Sequence, residues 1–173
     1  MLIGERMNDA INEQIQSEFF ASAQYIAIAV WYDAEALPVL AQHFYRQSEE
    51  EREHAMKLIH YLVEAGGKVM VPGLPEPTNS FDSAAETLEL SLNQEIKVTN
   101  QINNLMDIAK EENDHLAQHF LQWFVEEQLE EVASMDALLK TIKRAGEGGL
   151  LHVEQYLSRN AALSLDEEGE EED

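Results

Sequence analysis

The chain has 173 residues, enough for one domain with a sizeable core. Lysine and arginine number 11 against 34 aspartates and glutamates, a formal net charge of −23, and the seven acids in 166–173 leave about −16 for the rest. Such a surface repels nucleic acid and anionic membranes and attracts cations, and the absence of cysteine excludes disulfides and thiolate metal sites.

Glu5 and Asp9 interrupt the start, so no basic stretch leads into an apolar leader. The longest apolar run, near Tyr25 to Tyr32, is too short to span a bilayer. The expectation is a soluble, cytoplasmic protein. Proline is nearly confined to Pro72, Pro75 and Pro77, with Pro38 alone elsewhere, and the chain reads as all-α.

The first helix is predicted from about Gly4 to Asp33. Ile11, Ile15, Glu18, Ser22, Tyr25 and Ala29 form a stripe at alternating steps of three and four, the seam that a bundle helix turns inward. Glu18 stands where an apolar residue belongs. Tyr25 lies one heptad further on, either as core packing with a satisfied hydroxyl or with that hydroxyl reaching the same polar centre.

The second helix is predicted from Leu37 or Pro38 to Ala65, with proline tolerated in the first turn and Gly66 and Gly67 at the end. Its seam is Leu40, Phe44, Gln47, Glu51, His54, Leu58 and Tyr61. Glu51 and His54, three apart, share one face about a turn apart. They read either as a buried Glu–His hydrogen bond on a wetter face or as two metal ligands. The short link to the first helix makes those two antiparallel.

Residues 66–81 have no helical period. About fifteen extended residues at roughly 3.3 Å each can run the length of a ~28-residue helix at 1.5 Å per residue. The second and third helices are therefore expected to be parallel, joined by a long crossover. The third helix is predicted from near Asp82, capped by Asp82 or Ser83, to Lys110, with Glu95 alone interrupting its apolar seam of Leu88, Leu92 or Ser91, Val98 or Thr99, Ile102 and Leu105. The fourth follows Asn113 and Asp114 and reaches Arg144. Its seam is Ala117, Leu121, Phe124, Gln128, Glu131, Met135, Leu138 and Ile142, interrupted by Gln128 and Glu131.

Glycines at 146, 148 and 149 then break the chain before a short amphipathic segment, about 149–161, carrying Leu150, Leu151, Val153, Tyr156 and Leu157. It is too short to be stable alone and needs an apolar surface, on its own subunit or another. The expected organisation is one domain over 1–165, with a disordered acidic tail over 166–173.

Glu18, Glu51 with His54, Glu95, and Gln128 with Glu131 thus fall near the middle of four core seams. Four carboxylates meeting in a core would repel strongly, each close pair by about 4 kcal/mol at 4 Å and an effective dielectric of ~20. No lysine or arginine lies on the seams to neutralise them. Two divalent cations would. Oxygen donors with one imidazole and no sulfur suit iron or manganese, with zinc able to compete.

Over nearly all of 5–160 the chain resembles the non-haem bacterial ferritins. The matching stretches are QIQSEFFASAQY around Glu18 and Tyr25, EEEREHA around Glu51 and His54, Glu95 in NQEIKVTNQI, and WFVEEQLEEV around Gln128 and Glu131. The resemblance implies a ferritin-like four-helix bundle with a fifth helix, and a ferroxidase that oxidises Fe(II) with O₂ or H₂O₂. Two iron ions per subunit would bind, the first on Glu18, Glu51 and His54. Glu51 would bridge to the second, which Glu95 also holds with Glu131 nearby or ligating. Gln128 would sit behind the ligands or face oxygen, and Tyr25 would be a hydrogen-bond partner or electron donor. A third iron site is implied on Glu50, Glu127 and Glu130, although glutamates flanking a seam are ordinarily just solvated. Iron would be stored as mineral in a hollow shell of 24 copies, with the fifth helix meeting its copies at a fourfold axis.

Haem-containing relatives carry a methionine two residues before the motif histidine, where this chain has Arg52, so no haem is expected; Met56 reads as packing. Animal ferritins line their iron pore with acids where this chain has Gln118 and Leu121, leaving the route inward open. Two competing readings are a di-iron oxygenase acting on an organic substrate and a cage with a degenerate centre. The first usually repeats the Glu–His pair, and Gln128 with Glu131 lacks the second histidine. The complete ligand set counts against the other. His43, His60, His115, His119 and His152 pair with no seam carboxylate and read as structural or surface residues.

Overall fold

A computed structural model describes the backbone of residues 2–170 and the side chains as far as Asn160. Four long helices, α1 (Glu5–Ala34), α2 (Pro38–Glu64), α3 (Ala84–Glu111) and α4 (His115–Ala145), are followed by a 3₁₀ turn (Glu147–Gly149) and α5 (Leu150–Glu170). The disordered acidic tail expected over 166–173 lies only partly within the described residues: the backbone continues as α5 as far as Glu170, and 171–173 fall outside them. No described helix is long and apolar enough to cross a membrane.

Local signals set the ends. Ser83 accepts from the Glu86 N–H at 3.1 Å while Glu86 Oε2 accepts from the Asp82 N–H at 2.6 Å, a reciprocal cap that starts α3. Asp114 accepts from the Ala117 N–H and starts α4. Gly66 ends α2 at φ 73°, a left-handed conformation that costs glycine nothing.

Cross-helix bonds fix the topology. Ser22 Oγ donates to the Ser48 carbonyl, aligning α1 antiparallel to α2. Ser17 meets Gln101 and Tyr32 meets Thr87, so α3 also runs against α1. Hence α2 and α3 are parallel, as the length of the crossover predicted. That connection climbs along α1, tied by Asn12 to Lys68 and Met70, by Gln16 to Gly73 and by Gln24 to Thr78.

Every seam residue of α1 and α4 named from the sequence is buried. On α2 the exception is Tyr61, half-buried and stacked on Phe120 at 4.0 Å; on α3, Ser91 rather than Leu92 faces inward. The core divides into two apolar clusters. One includes Tyr25, Phe44, Leu88 and Met135, and the other Ile11, Leu58, Ile102 and Phe124. Glu18, Glu51, Glu95, Gln128 and Glu131 fall between these clusters along their helices.

Of the two surfaces left open for the fifth helix, its own subunit takes the first turns. Leu150 and Val153 bury against the chain's own bundle and Leu157 packs partly on it, leaving Leu151 and Tyr156 exposed. Glu154 Oε1 accepts from the Val39 and Leu40 N–H groups at 2.7 and 3.0 Å, capping an α2 start that has no side-chain cap of its own. Glu147 does the same for the Ala84 N–H of α3 at 3.0 Å. The segment is thus anchored at the end of its own bundle.

Candidate metal centre

Mid-bundle, α1 supplies Glu18 and Tyr25, α2 Glu51 and His54, α3 Glu95, and α4 Gln128 and Glu131; all seven are buried. The three-residue spacing brings Glu51 and His54 to the same inner face, with Glu51 Oε2 at 3.5 Å from His54 Nδ1. That contact is not a hydrogen bond, so a purely structural Glu–His pair does not describe it.

Among the described residues two groups of potential ligand atoms form, the atoms of each lying within 4.8 Å of one another. The first is Glu18, Glu51 and His54, and the second is His54, Glu127 and Glu131. His54 belongs to both: Nδ1 faces Glu51, and Nε2 lies 3.9 Å from Glu127 Oε1. Trp123 and Phe124 wall the imidazole edge-on, with centroids at 5.4 and 6.0 Å.

Glu18 Oε2, both oxygens of Glu51 and His54 Nδ1 are buried without a hydrogen-bond partner. Buried polar atoms are almost always satisfied, and leaving one unmade costs about 1–3 kcal/mol, more when charged. Four such atoms together, three of them carboxylate oxygens and one an imidazole nitrogen, fit a hard or borderline divalent cation.

Glu95 is held differently. Tyr25 donates its hydroxyl to Oε1, and Gln128 Nε2 donates to Oε2 at 3.3 Å while also reaching the Glu95 carbonyl and Thr99 Oγ1. Glu95 therefore lies outside both ligand groups, with each oxygen engaged. Of the acids flanking the seam, Glu127 joins His54 and Glu131, Glu50 accepts from Gln47 Nε2, and Glu130 is exposed and in neither group.

The electrostatics follow from burial. Desolvation raises the Glu18 carboxyl well above the ordinary range, and the neighbouring Glu51 pushes it further. Burial, then repulsion from Glu95, does the same to Glu51. Burial raises Glu95 against the opposing hydrogen bonds from Tyr25 and Gln128. Glu131 is pushed up to about 8, first by burial and then by Glu95. Burial thus disfavours the charged form of all four carboxyls.

Among the remaining histidines, His43 is lowered to about 4 by burial and then by Arg46, while His60, His115, His119 and His152 are exposed. Leu121 is core, and Gln118 donates to the Ala109 carbonyl. The sequence reading missed Gln14, whose Nε2 donates to Glu18 Oε1 at 2.8 Å. Its signal is the four-residue spacing from a seam carboxylate.

Residues 8–145 match the ferritin family model, described as the ferritin-like domain. The chain is 48% identical to a ferritin BfrB of Mycolicibacterium smegmatis over 89% of its own length and 84% of the relative's. It is 34% identical to a bacterial non-heme ferritin of Staphylococcus saprophyticus, covering 96% and 99% of the two chains. The fold matches an open pore ferritin from the archaeon Archaeoglobus fulgidus with a TM-score of 0.88 at 33% identity, over 91% of this chain and 97% of that one.

Proposed function

The chain belongs to the ferritin family, and from that premise we propose that each subunit oxidises Fe(II) to Fe(III) at a paired iron centre in its bundle and delivers the product to a mineral inside a hollow shell of 24 copies. Iron is here the substrate and the cargo. Glu18, Glu51 and His54 take the first ion, and Glu51, with both oxygens free, is the bridge. Glu95 and Glu131 serve the second. Each ion gives up one electron, and the pair of electrons reduces O₂ to H₂O₂, or H₂O₂ to water, with two protons consumed. Hydrolysis of Fe(III) to a hydrated oxide then releases protons.

The observation that carries this reading is the set of four unpartnered buried ligand atoms on Glu18, Glu51 and His54. The protein's contribution is a prearranged pocket of negative charge that stabilises the more highly charged Fe(III) over Fe(II). Tyr25 and Gln128 hold Glu95 until an ion draws it away. Glu127 Oε1, 3.9 Å from His54 Nε2 and beyond hydrogen-bond distance, puts negative charge on that side of the ring, which would favour a proton on Nε2 and leave Nδ1 as ligand. A third site would use Glu127 with Glu50 and Glu130 on the rim. Where a repeated Glu–His pair would carry its second histidine the chain has Glu131, and Gln128, in the place of that pair's glutamate, is committed to Glu95 and Thr99.

Aerobic loading with Fe(II) far in excess of the sites, followed by sedimentation, tests the proposal. Iron travelling with a shell-sized particle supports it, and Fe(III) precipitating outside the protein would sink it.

A further inference from the structure

Glu18, Glu51 and Glu95 differ in how many carboxylate oxygens they leave free. Glu51 has two, Glu95 has none, and Glu18 has one. The difference at Glu18 has a single source. Gln14, one turn earlier on α1 and on the same face, points its amide along the helix and donates Nε2–H to Glu18 Oε1 at 2.8 Å. Glu18 Oε2 stays buried and without a partner.

We infer that Gln14 is a positioning residue for the first metal ion, committing Glu18 Oε1 so that Oε2 alone is presented beside Glu51 and His54. This rests on the proposed iron centre and assigns it a residue that touches no ion. Gln14 is itself only 2% exposed, yet it lines a groove of about 480 Å³ between α1 and α3, with Glu13, Lys97, Asn100 and Gln101. The amide thus stands between that groove and the carboxylate. Without it, Glu18 is free to rotate or to take a solvent partner from the groove side. A neutral donor also suits the place better than lysine or arginine, because a fixed positive charge there would compete with the incoming cation. Residues of this kind behind metal ligands typically change affinity by roughly tenfold to a hundredfold when removed.

The test is anaerobic titration with Co(II), read by its visible absorption, on the full-length assembled protein. Four chains are compared: the parent, Gln14→Leu, Gln14→Met and Gln101→Leu. The two Gln14 variants keep an apolar filling of similar length without the donor, and either one that melts like the parent serves. Gln101→Leu is the structural control, since it lines the same groove but bonds Ser17 rather than a ligand.

The parent is expected to bind two ions per chain. Loss of the Gln14 amide is expected to weaken the first by roughly tenfold or more and alter its absorption bands, with the second unchanged. Gln101→Leu is expected to leave both as in the parent. If the Gln14 variants bind both ions as the parent does, or weaken them only as Gln101→Leu does, the positioning role is wrong while the centre stands. If the parent binds no Co(II), the centre itself is wrong and the inference falls with it.

Discussion

Tyr25 on α1 donates its hydroxyl to Glu95 Oε1 on α3, 70 residues away, and both side chains are fully buried. With Gln128 on the other oxygen, this closes Glu95 off from the ligand groups that Glu18, Glu51 and His54 leave open. The Tyr25→Phe variant strands Glu95 Oε1 in a dry core. Metal-free protein is expected to lose about 1–3 kcal/mol of stability, while the number of metal sites stays at two. Calorimetry paired with a metal titration measures both, and unchanged stability would show that the bond contributes nothing.

The pH dependence of the metal-free protein follows from the raised carboxyls. Their folded values lie above the unfolded value near 4.5, with Glu131 at about 8. The folded state therefore holds more protons than the unfolded one between those limits. Stability from these groups is fully present below about 4.5 and is lost as pH rises through their folded values, about 8 for Glu131, by at most about 1.4 kcal/mol per pH unit for each group. Melting temperature is expected to fall between pH 5.5 and 8. Zn(II), which is redox-inert, is expected to restore more stability at pH 8 than at 5.5, and Glu131→Gln to flatten the slope. A melting temperature that rises steadily across this window contradicts the assignment.

Assembly places different demands on α5 than its sequence suggested. Glu147 and Glu154 cap α3 and α2, and Leu150 and Val153 fill the end of the bundle. Deleting everything from 147 onward is therefore expected to destabilise the subunit itself. The sharper probe of shell contacts is the exposed pair, changed as Leu151→Ser with Tyr156→Ser. Sedimentation is expected to show a weakened shell with bundle helicity kept. Native protein running as a dimer or dodecamer, or a double variant that assembles like the parent, would remove the fourfold role proposed for this helix.

The inward seams were legible because burial on a bundle helix repeats at three and four, so a glutamate on the stripe is visible as an interruption. Glu18, Glu51, His54, Glu95, Gln128 and Glu131 were all placed in the core that way. Gln14 was not, because it stands beside the stripe and its role depends on which way its amide points. Glu154 was not either, since its partners are backbone N–H groups 115 and 114 residues away. The docking of Leu150 and Val153 depended on the turn made at 146–149, with Gly146 at φ 67°, and apolar periodicity carries no record of that angle.

Arg52, two residues before His54, is exposed on α2 where haem-binding relatives have a methionine. Purified protein is expected to show no stoichiometric Soret band, even after expression with haem precursor. A band at about half an equivalent per chain, surviving purification, would overturn this.

Anaerobic Fe(II) titration of the parent beside Glu51→Ala and Glu95→Ala tests the paired centre most directly, with ions bound per chain as the readout. Two tight sites are expected in the parent, none in Glu51→Ala because the bridge is lost, and the first alone in Glu95→Ala. A Glu51→Ala protein that binds two ions as tightly as the parent would contradict it.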